Sequence, residues 1–427
     1  MEQKQPKIVQ KLLLRTFFLL LAVAAVFLGI QFILNWRKDP DMGPANTIGM
    51  IAAIQIHDEG QQAVIFDKDG KKVPSPDYTA GKTDRDIVWL PNGNRLFFTS
   101  DRKETAFNLY RWNPDKGTVV QRSSGSLSRF DPSFVSLEPG ASKTELDGSG
   151  KFALMTQGGF VLEFDMTELT SRQLLPPPGG VTQGADEGAG GSGQFDAIYK
   201  RLGNSFRTAR MLKNQDYIVA VMKQDEGEVL VYQKLGGSSA EELLPKAIMA
   251  GEHIDIDIDP KSGAVVFTVL NFQYPDRENI PKEKIKNGKV VRDFEHGVFA
   301  FNPYLPRSEM LQYIAISKVP GQAFGPAVVS PDGNRIALTT GSYDGTTYTP
   351  AGMALMPLQQ GGMSGGTPLV AGRIYEINWH PGGEKLTYIK SEGRSRSIYT
   401  ISADGSSETK VSDDGTYMTP KFSPQTG

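Results

Sequence analysis

The clearest copy of a recurring phrase reads Ser330-Pro331-Asp332-Gly333-Asn334-Arg335-Ile336-Ala337-Leu338. The others read His380-Pro381-Gly382-Gly383-Glu384-Lys385-Leu386-Thr387-Tyr388 and Leu90-Pro91-Asn92-Gly93-Asn94-Arg95-Leu96-Phe97-Phe98. Each copy follows a short apolar run and precedes an alternating one. Proline presets φ for the second turn position, Asp or Asn bonds nearby backbone, and glycine takes the position with φ > 0. The phrase therefore predicts a strand, a tight turn and a second strand.

This turn unit recurs at intervals that indicate a repeat architecture, and four short strands per unit are typical of a propeller blade. Helical patterns are scarce after the first segment, and 46 glycines and 27 prolines fit many strands joined by turns. We therefore predict an all-β, seven-bladed β-propeller of four-stranded blades over residues 48–427. Six blades is the alternative if the weak copies at 145–175 or 48–73 are something else.

The first alternating run, Ile48–Ile56, has no strand with a terminal turn before it, whereas Tyr417–Pro424 begins a further copy of the phrase at the other end of the sequence. Unpaired strand edges recruit other chains, so a ring is expected to leave none. We expect the last strand to pair with the first blade and close the ring.

One uncharged segment precedes the predicted propeller. Residues 16–36 carry no charge, and this length is close to the ~20 residues that span a bilayer as a helix. Lys4, Lys7, Lys11 and Arg15 precede it, which predicts a cytoplasmic segment at 1–15, a linker at 37–47 and an extracytoplasmic propeller. A cleaved signal peptide ending near Ala24 is the alternative, but the apolar run continues for ten residues beyond it.

The best copies resemble the TolB-like propeller repeat, a relative of the WD repeat. The resemblance is carried by Ser330–Gly333, Phe98–Arg102 and Ile398–Gly405, and it is faint between residues 140 and 320. It implies a fold and is nearly silent on function, because propellers host enzymes, binders and scaffolds. Similar propellers gate prolyl oligopeptidases, whose hydrolase domain follows the propeller. The printed sequence ends with the propeller, so we expect no peptidase activity.

Composition excludes several kinds of function. The formal charge of −2 does not fit nucleic-acid binding, which needs a basic face. The absence of cysteine excludes disulfides, thiol catalysis and cysteine-bound zinc. Together with the charge bias around residues 16–36, these features suit a single-pass protein of a bacterial cytoplasmic membrane.

Two glycine-rich matches to catalytic motifs lack the structural context that their chemistry needs. Gly362–Gly366 matches G-x-S-x-G, but the nucleophile elbow requires a strand before it and a helix after it. Gly188–Gly193 matches G-x-G-x-x-G inside the low-complexity loop 176–194, where neither strand nor helix is predicted. We expect neither a nucleophile nor a dinucleotide site.

An alternating acidic stretch is the candidate site. Strict alternation would place His253, Asp255, Asp257 and Asp259 on one face of a strand and three isoleucines on the other. Carboxylates spaced in this way repel one another unless a cation, basic side chains or water separates them. One interpretation is a row paired with residues such as Arg207, Arg210 or Arg335. The other is a divalent cation bound by His253, Asp255, Asp257 and Asp259.

The sequence favours a role in holding other proteins. No catalytic set is recognisable. The predicted insertion at 271–297, with a hairpin at Asn287-Gly288, is either a solvated charged hairpin or a place where a partner subunit docks. We predict a non-enzymatic scaffold or accessory subunit of a membrane or envelope complex, without a cofactor and without nucleic acid. A channel that senses a ligand or metal is the alternative, and a hydrolase or lyase is the third hypothesis.

Overall fold

The recurring turns join strands throughout the part of the chain that the structure describes. This computed structural model describes residues 46–90, 93–103, 107–122, 136–137, 152–157, 160–165, 170–176, 205–212, 216–224, 227–235, 244–273, 285–286, 289–290, 295–317, 322–358 and 366–425. Within these ranges every regular element is a β-strand. The predicted segments 1–15 and 16–36, and nearly all of the linker 37–47 and the loop 176–194, lie outside them.

The first half of the described chain contains fourteen strands. They are β1 (Ile51–His57), β2 (Gly60–Phe66), β3 (Lys72–Pro74), β4 (Asp84–Trp89), β5 (Leu96–Ser100), β6 (Asn108–Asn113), β7 (Thr118–Gln121), β8 (Ser136–Leu137), β9 (Phe152–Gln157), β10 (Phe160–Asp165), β11 (Thr170–Leu175), β12 (Ser205–Met211), β13 (Tyr217–Gln224) and β14 (Gly227–Lys234).

The second half contains fifteen. They are β15 (Lys246–Ile258), β16 (Val265–Gln273), β17 (Ile285–Lys286), β18 (Lys289–Val290), β19 (His296–Phe301), β20 (Leu311–Ser317), β21 (Ala323–Val329), β22 (Arg335–Tyr343), β23 (Tyr348–Pro357), β24 (Thr367–Ala371), β25 (Arg373–Trp379), β26 (Lys385–Glu392), β27 (Ser395–Ser402), β28 (Thr409–Lys410) and β29 (Thr416–Phe422).

Most sheets are antiparallel runs of consecutive strands. Four-stranded sheets have the orders β4-β5-β6-β7, β8-β9-β10-β11 and β21-β22-β23-β24. A seven-stranded sheet has the order β12-β13-β14-β15-β16-β19-β20, in which the long strand β15 pairs first with β14 and then with β16. The largest sheet has the order β25-β26-β27-β29-β1-β2-β3, with β28 beside β27.

The sheets follow one another in a closed circuit. Strand β29 contacts β4, β4 contacts β8, and β9 contacts β12; β12 then contacts β15, β15 contacts β21, β21 contacts β25, and β25 contacts β29 again. An all-β chain whose sheets succeed one another in this way has a propeller-like fold. The prediction of an all-β, propeller-like fold is confirmed.

The closing pair of strands is the one expected from the sequence. Strand β29 pairs antiparallel with β1, in a register that places Phe422 opposite Ile51 and Thr416 opposite Ile56. Phe422, Tyr417, Ile51 and Ala53 are buried in one cluster with residues of β2, β26 and β27. The C-terminal strand therefore completes the sheet that begins at the N-terminal end of the described chain.

The recurring turn has the same hydrogen bonds in its three predicted copies. Ser330 N donates to Arg335 O at 2.8 Å and Gly333 N to Ser330 O at 2.9 Å, and the copies that begin at Leu90 and His380 have equivalent bonds. Gly333 has φ +65°, and a Cβ added to it would lie 2.4 Å from Asp259 Oδ1. Glycine is therefore required at this turn both by its backbone conformation and by the neighbouring turn.

A related turn follows β15, where the sequence does not repeat the phrase and the glycine amide bonds four residues back instead of three. Asp259 N donates to Ala264 O at 2.8 Å, and Gly263 N donates to Asp259 O at 2.8 Å. The side chain of Asp259 accepts backbone hydrogen bonds from Lys261 at 2.9 Å and Ser262 at 3.2 Å. Asp259 therefore ends the acidic row by forming a turn.

These turns define two ends of the fold. The turn end carries the turns after β4, β15, β21 and β25, together with the connections from β2 to β3, β6 to β7 and β19 to β20. The hairpin end carries the opposite connections, such as β1 to β2 and β26 to β27. Within each sheet the chain reverses direction at each antiparallel strand, and the hydrogen bonds from Arg335 to Gly383 O and from Gln425 to Asn94 Oδ1 join the turns of neighbouring sheets at one end.

The apolar cores lie between neighbouring sheets. One buried cluster joins β1 and β2 to β4, β5 and β6, and includes Trp89 and Trp112. Another joins β22 and β23 to β25, β26 and β27, and includes Trp379 and Tyr388. Burial on both faces explains why these strands read as nearly continuous apolar runs.

One sequence-based boundary differs from the structure. The insertion was expected at 271–297, whereas β16 extends to Gln273 and β19 begins at His296. Strands β17 and β18 pair on either side of Asn287-Gly288, so the predicted hairpin is confirmed although its two turn residues lie outside the described ranges.

Ring closure predicts a specific cross-link. Ile56 and Thr416 lie opposite each other on β1 and β29, and Cα atoms of such pairs are about 4.5–5.5 Å apart, within the range that a disulfide bridges. Because the chain has no cysteine, Ile56→Cys/Thr416→Cys should oxidise to one intramolecular disulfide and raise the melting temperature. Electrophoresis with and without reductant measures it. The offset pair Gln55→Cys/Thr416→Cys is the control, and equal cross-linking of both pairs would contradict the register.

Candidate functional site

A cavity of about 750 Å³ lies among the first strands of successive sheets. Its wall is formed by parts of β4, β12, β15, β21, β25 and β29, which we call the inner strands. The polar side chains that line it include Arg207, Thr208, Arg210, Asp255, Asp257, Asp259, Glu376, Asn378, Thr419 and Lys421. A volume of this size is typical of pockets that hold a small molecule.

The acidic side chains of β15 bond to the next inner strand. Asp257 Oδ2 accepts a hydrogen bond from Val329 N of β21 at 2.8 Å. Asp255 accepts one from the backbone N–H of Ala327 on the same strand. Strand β21 lies at the end of its sheet and pairs only with β22. The two carboxylates therefore accept hydrogen bonds from amides on the edge of β21 that has no neighbouring strand.

The same arrangement recurs on the other side of the cavity. Glu376 of β25 accepts a hydrogen bond from Thr419 N of β29, and Asn378 Oδ1 accepts one from Phe422 N at 3.1 Å. Glu376 and Asn378 stand four and two residues before the turn that begins at His380, and Asp255 and Asp257 stand four and two residues before Asp259. We call these four side chains the strand latches.

Tryptophan supplies a further link of this kind. Trp379 Nε1 donates to Val328 O at 3.0 Å, and Trp89 Nε1 donates to Lys421 O at 3.1 Å. Each tryptophan is the last residue of an inner strand and is buried in an apolar cluster between two sheets. Each indole therefore joins an inner strand to the inner strand that precedes it around the circuit.

Burial changes the acidity of two latch carboxyls. Desolvation raises the pKa of Asp255 to about 6, against the opposing charges of Arg207 and Arg210, while the nearby Asp257 raises it further. Desolvation likewise raises the pKa of Glu376, although the Thr419 amide and the charges of Lys421 and Arg396 oppose the change. Both groups therefore bind protons more readily than exposed carboxyls do.

Both arginines in the wall have partners. Arg207 Nε lies 2.6 Å from Glu228 Oε1, and Ile254 N donates to Glu228 Oε2 at 2.7 Å. Arg210 contacts Thr208 Oγ1 at 2.8 Å. Arg335, the third expected partner of the acidic row, lies elsewhere: it donates to Gly383 O at 3.1 Å and packs over the Trp379 ring. The expectation for Arg335 was wrong.

The structure separates His253 from the aspartates. The register of β15 shifts between Glu252 and Asp255, and His253 adopts φ +48° at this irregularity, so the alternation expected from the sequence breaks. Its exposed ring packs edge-to-face against Tyr343 at 5.9 Å. Ile254, Ile256 and Ile258 are buried together as expected.

In the part of the chain that the structure describes, no three His, Asp or Glu side chains form a group that could hold a metal ion. Asp255 and Asp257 already accept backbone hydrogen bonds from β21, and Asp259 is bonded within its own turn. A divalent cation bound by His253, Asp255, Asp257 and Asp259 therefore stays a prediction.

A second polar cluster lies beside β15 at the hairpin end. Tyr343 donates to Glu252, Asn271 Nδ2 donates to Glu252 Oε2 at 3.3 Å, and Asn271 N donates to His296 Nδ1 at 3.2 Å. Desolvation lowers the pKa of the buried His296, with Glu252 acting in the opposite direction. These contacts fix the strand ends on either side of the insertion.

Sequence reasoning found Asp255 and Asp257 but missed Glu376 and Asn378. The signal that could have found them is position: each latch stands four or two residues before a recurring turn. The Gly362–Gly366 motif lies almost entirely outside the described residues, and the Gly188–Gly193 motif lies wholly outside them.

No protein-family model matches the sequence. No curated protein matches it either. The membership of a TolB-like family expected from the repeats therefore stays a prediction.

Solved β-propellers resemble the chain in structure at low sequence identity. TolB from Acinetobacter baumannii is 12% identical, with a TM-score of 0.45 over 89% of this chain and 68% of that one. Oligogalacturonate lyase from Vibrio parahaemolyticus is 11% identical, with a TM-score of 0.48 over 90% and 93%. The β-propeller domain of the trilobed protease from Pyrococcus furiosus is 10% identical, with a TM-score of 0.47 over 87% and 97%.

The raised pKa of Asp255 predicts how Asp255→Asn changes stability with pH. Because the folded-state pKa of about 6 exceeds the unfolded value of about 3.9, the folded protein binds this proton first as pH falls. Wild-type protein should gain up to about 3 kcal/mol of unfolding free energy from this group between neutral pH and pH ~4, and the variant should not. Urea unfolding at several pH values measures the difference.

The exposed substitution Asp58→Asn serves as the control for that experiment. Its difference from wild type should vary little over the same pH range. A difference between wild type and Asp255→Asn that is constant from pH 7.5 to 4.5 would contradict the buried environment of the Asp255 carboxyl.

Proposed function

We propose that this protein is a non-enzymatic scaffold or accessory subunit of a membrane or envelope complex. In this proposal residues 16–36 form a single transmembrane helix in a bacterial cytoplasmic membrane, and the propeller lies on the extracytoplasmic side. Its partners are other membrane or periplasmic subunits, and it uses neither a cofactor nor nucleic acid. No helix among the described residues is long and apolar enough to cross a bilayer, and residues 16–36 are not among them.

The strand latches are the observation that carries this proposal. Asp255, Asp257, Glu376 and Asn378 each accept a backbone N–H of the next inner strand, and Asp259, which also lines the cavity, accepts backbone N–H groups of its own turn. A general acid, base or metal ligand must instead direct its polar atoms at a reacting group. The site is therefore built as a joint between sheets, which suits a rigid platform for partners.

The proposed platform has seven blades. Six are β4–β7, β8–β11, β12 to the first part of β15, the second part of β15 with β16, β19 and β20, β21–β24, and β25–β28. The seventh is β29 with β1, β2 and β3. This division gives four strands to every blade and explains why β15, with thirteen residues, is the longest strand described: it serves two blades.

A ligand-binding channel is the second candidate. It is favoured by the 750 Å³ cavity and by the two carboxyls whose pKa burial raises. Groups of this kind cluster at functional sites as well as in structural networks. Ligand-dependent or cation-dependent melting of the wild-type protein, lost in Asp255→Asn, would favour this candidate over the scaffold.

The scaffold proposal predicts stable co-purification. Full-length protein extracted in a mild detergent should elute with other proteins in fixed proportions, because a scaffold holds them through a specific interface. Size-exclusion chromatography and mass spectrometry of the eluted complex measure this. The control is a variant without residues 1–36, which should leave the membrane fraction. Elution of the full-length protein alone as a monomer would contradict the proposal.

A further inference from the structure

A smaller cavity, which we call the joint pocket, lies at the turn end between two neighbouring sheets. Its volume is about 260 Å³, and the connection from β19 to β20, residues 302–310, forms one side of it. The neighbouring sheet contributes Gly333, in the turn after β21, and Leu358, which follows β23. Asp259 is the one residue that lines both this pocket and the larger cavity. The joint pocket is therefore a separate site.

The floor of the joint pocket is built from aliphatic side chains of both sheets. They are Val266, Ala300, Leu305, Met310, Ile314 and Leu358. Val266 and Ile314 belong to the buried cluster between the sheets, and Ala300 and Leu358 pack against that cluster while staying half-buried. Such a floor favours contact with a hydrocarbon chain, because the contact removes apolar surface from water.

A carboxylate without a partner lies at the rim of the joint pocket. The exposed side chain of Glu309 forms no hydrogen bond and no ion pair with any residue that the structure describes. Its backbone is fixed, because Glu309 N donates to Pro306 O at 2.7 Å and Gln312 Nε2 donates to Glu309 O at 3.3 Å. An ordered turn therefore holds a charge whose oxygens have no acceptor role within the described chain.

A second carboxylate lines the pocket from the turn after β15. Asp259 accepts backbone hydrogen bonds from Lys261 at 2.9 Å and Ser262 at 3.2 Å, which are uncharged donors. The ammonium group of Lys261 contacts Asn334 Oδ1 at 3.5 Å and pairs with neither carboxylate. The negative charges of Glu309 and Asp259 thus have no ion-pair partner among the described residues.

We propose that a partner protein docks at the joint pocket by inserting the side chain of a lysine or an arginine. This inference rests on the proposed scaffold function and names the chemistry of its contact. The methylene stem would lie on the apolar floor, and the charged head would reach the carboxylates of Glu309 and Asp259. An apolar side chain would leave the carboxylates desolvated without a cation, and an acidic side chain would be repelled.

The size of the joint pocket fits one side chain. Pockets that enclose a whole small molecule are typically about 300–1,000 Å³, and the joint pocket is smaller than this range. The same connection also presents Tyr304, five residues before Glu309, with 38% of its surface exposed. Its ring packs edge-to-face on Tyr217 at 5.5 Å, and its hydroxyl donates to Asp216. A partner on this connection would therefore meet an ordered aromatic ring, a residue type that interfaces favour.

A lysine probe tests the chemistry of the pocket directly. The probe is N-acetyl-lysine methylamide, added to full-length protein in detergent with isotope-labelled methionine methyl groups. The methyl resonance of Met310, assigned with Met310→Leu, should shift saturably, whereas that of Met222, buried in β13, should not. N-acetyl-norleucine methylamide lacks the ammonium group and should bind about fivefold more weakly.

Two variants separate the charge of the pocket from its space. Glu309→Gln should reduce lysine-probe binding to the level of the norleucine probe, and Ala300→Leu should abolish binding of both by filling the floor. Glu59→Gln, an exposed carboxyl in the turn between β1 and β2, is the matched control and should change neither. Equal binding of the two probes by the wild-type protein, unchanged lysine-probe binding in Glu309→Gln, or no shift of Met310 would overturn the inference.

Co-purification distinguishes this inference from the proposed function. Where wild-type protein elutes with partners in fixed proportions, Glu309→Lys should lose a partner, and the control Glu59→Lys should retain all of them. Retention of every partner by Glu309→Lys would overturn the inference and leave the proposed function intact. Elution of the wild-type protein alone would contradict the proposed function, and the inference with it.

Discussion

Where the inner strands line the cavity, each pairs with a neighbouring strand on one edge only, and the amides on the other edge must find other acceptors. A buried backbone N–H without a partner destabilises a fold by an amount comparable to a lost hydrogen bond. Here Asp257 and Asn378 supply acceptors for Val329 N and Phe422 N, and Glu376 supplies one for Thr419 N. The joint between sheets thus consists of side chains that bond to backbone.

This constraint explains why buried carboxyls persist in the cavity wall. Removing Asp255 and Glu376 from water opposes their ionisation, as their raised pKa values indicate. The same burial strengthens the bonds that they accept from the next strand, because the local dielectric constant is lower than that of water. A carboxylate can accept more than one bond, whereas an apolar side chain would leave the amide without a partner.

The sequence predicted the features that local chemistry determines. Proline and glycine in Ser330–Gly333 and its copies fix the turns wherever they stand, and the incomplete copy at Tyr417–Pro424 predicted the pairing of β29 with β1. It did not predict the features that depend on a second strand. His253 leaves the acidic row because β15 changes partner from β14 to β16, and Glu376 gains its role only from the approach of Thr419.

Residue-resolved hydrogen exchange of the backbone amides of Val329 and Phe422 tests most directly whether the strand latches join the inner strands. Both amides lie on edges that face the cavity, and each is bonded to a side chain of the preceding inner strand. The account predicts that both exchange as slowly as amides inside the sheets, and that Asp257→Ala accelerates exchange at Val329 but not at Phe422. Rapid exchange at both positions in the wild-type protein would contradict it.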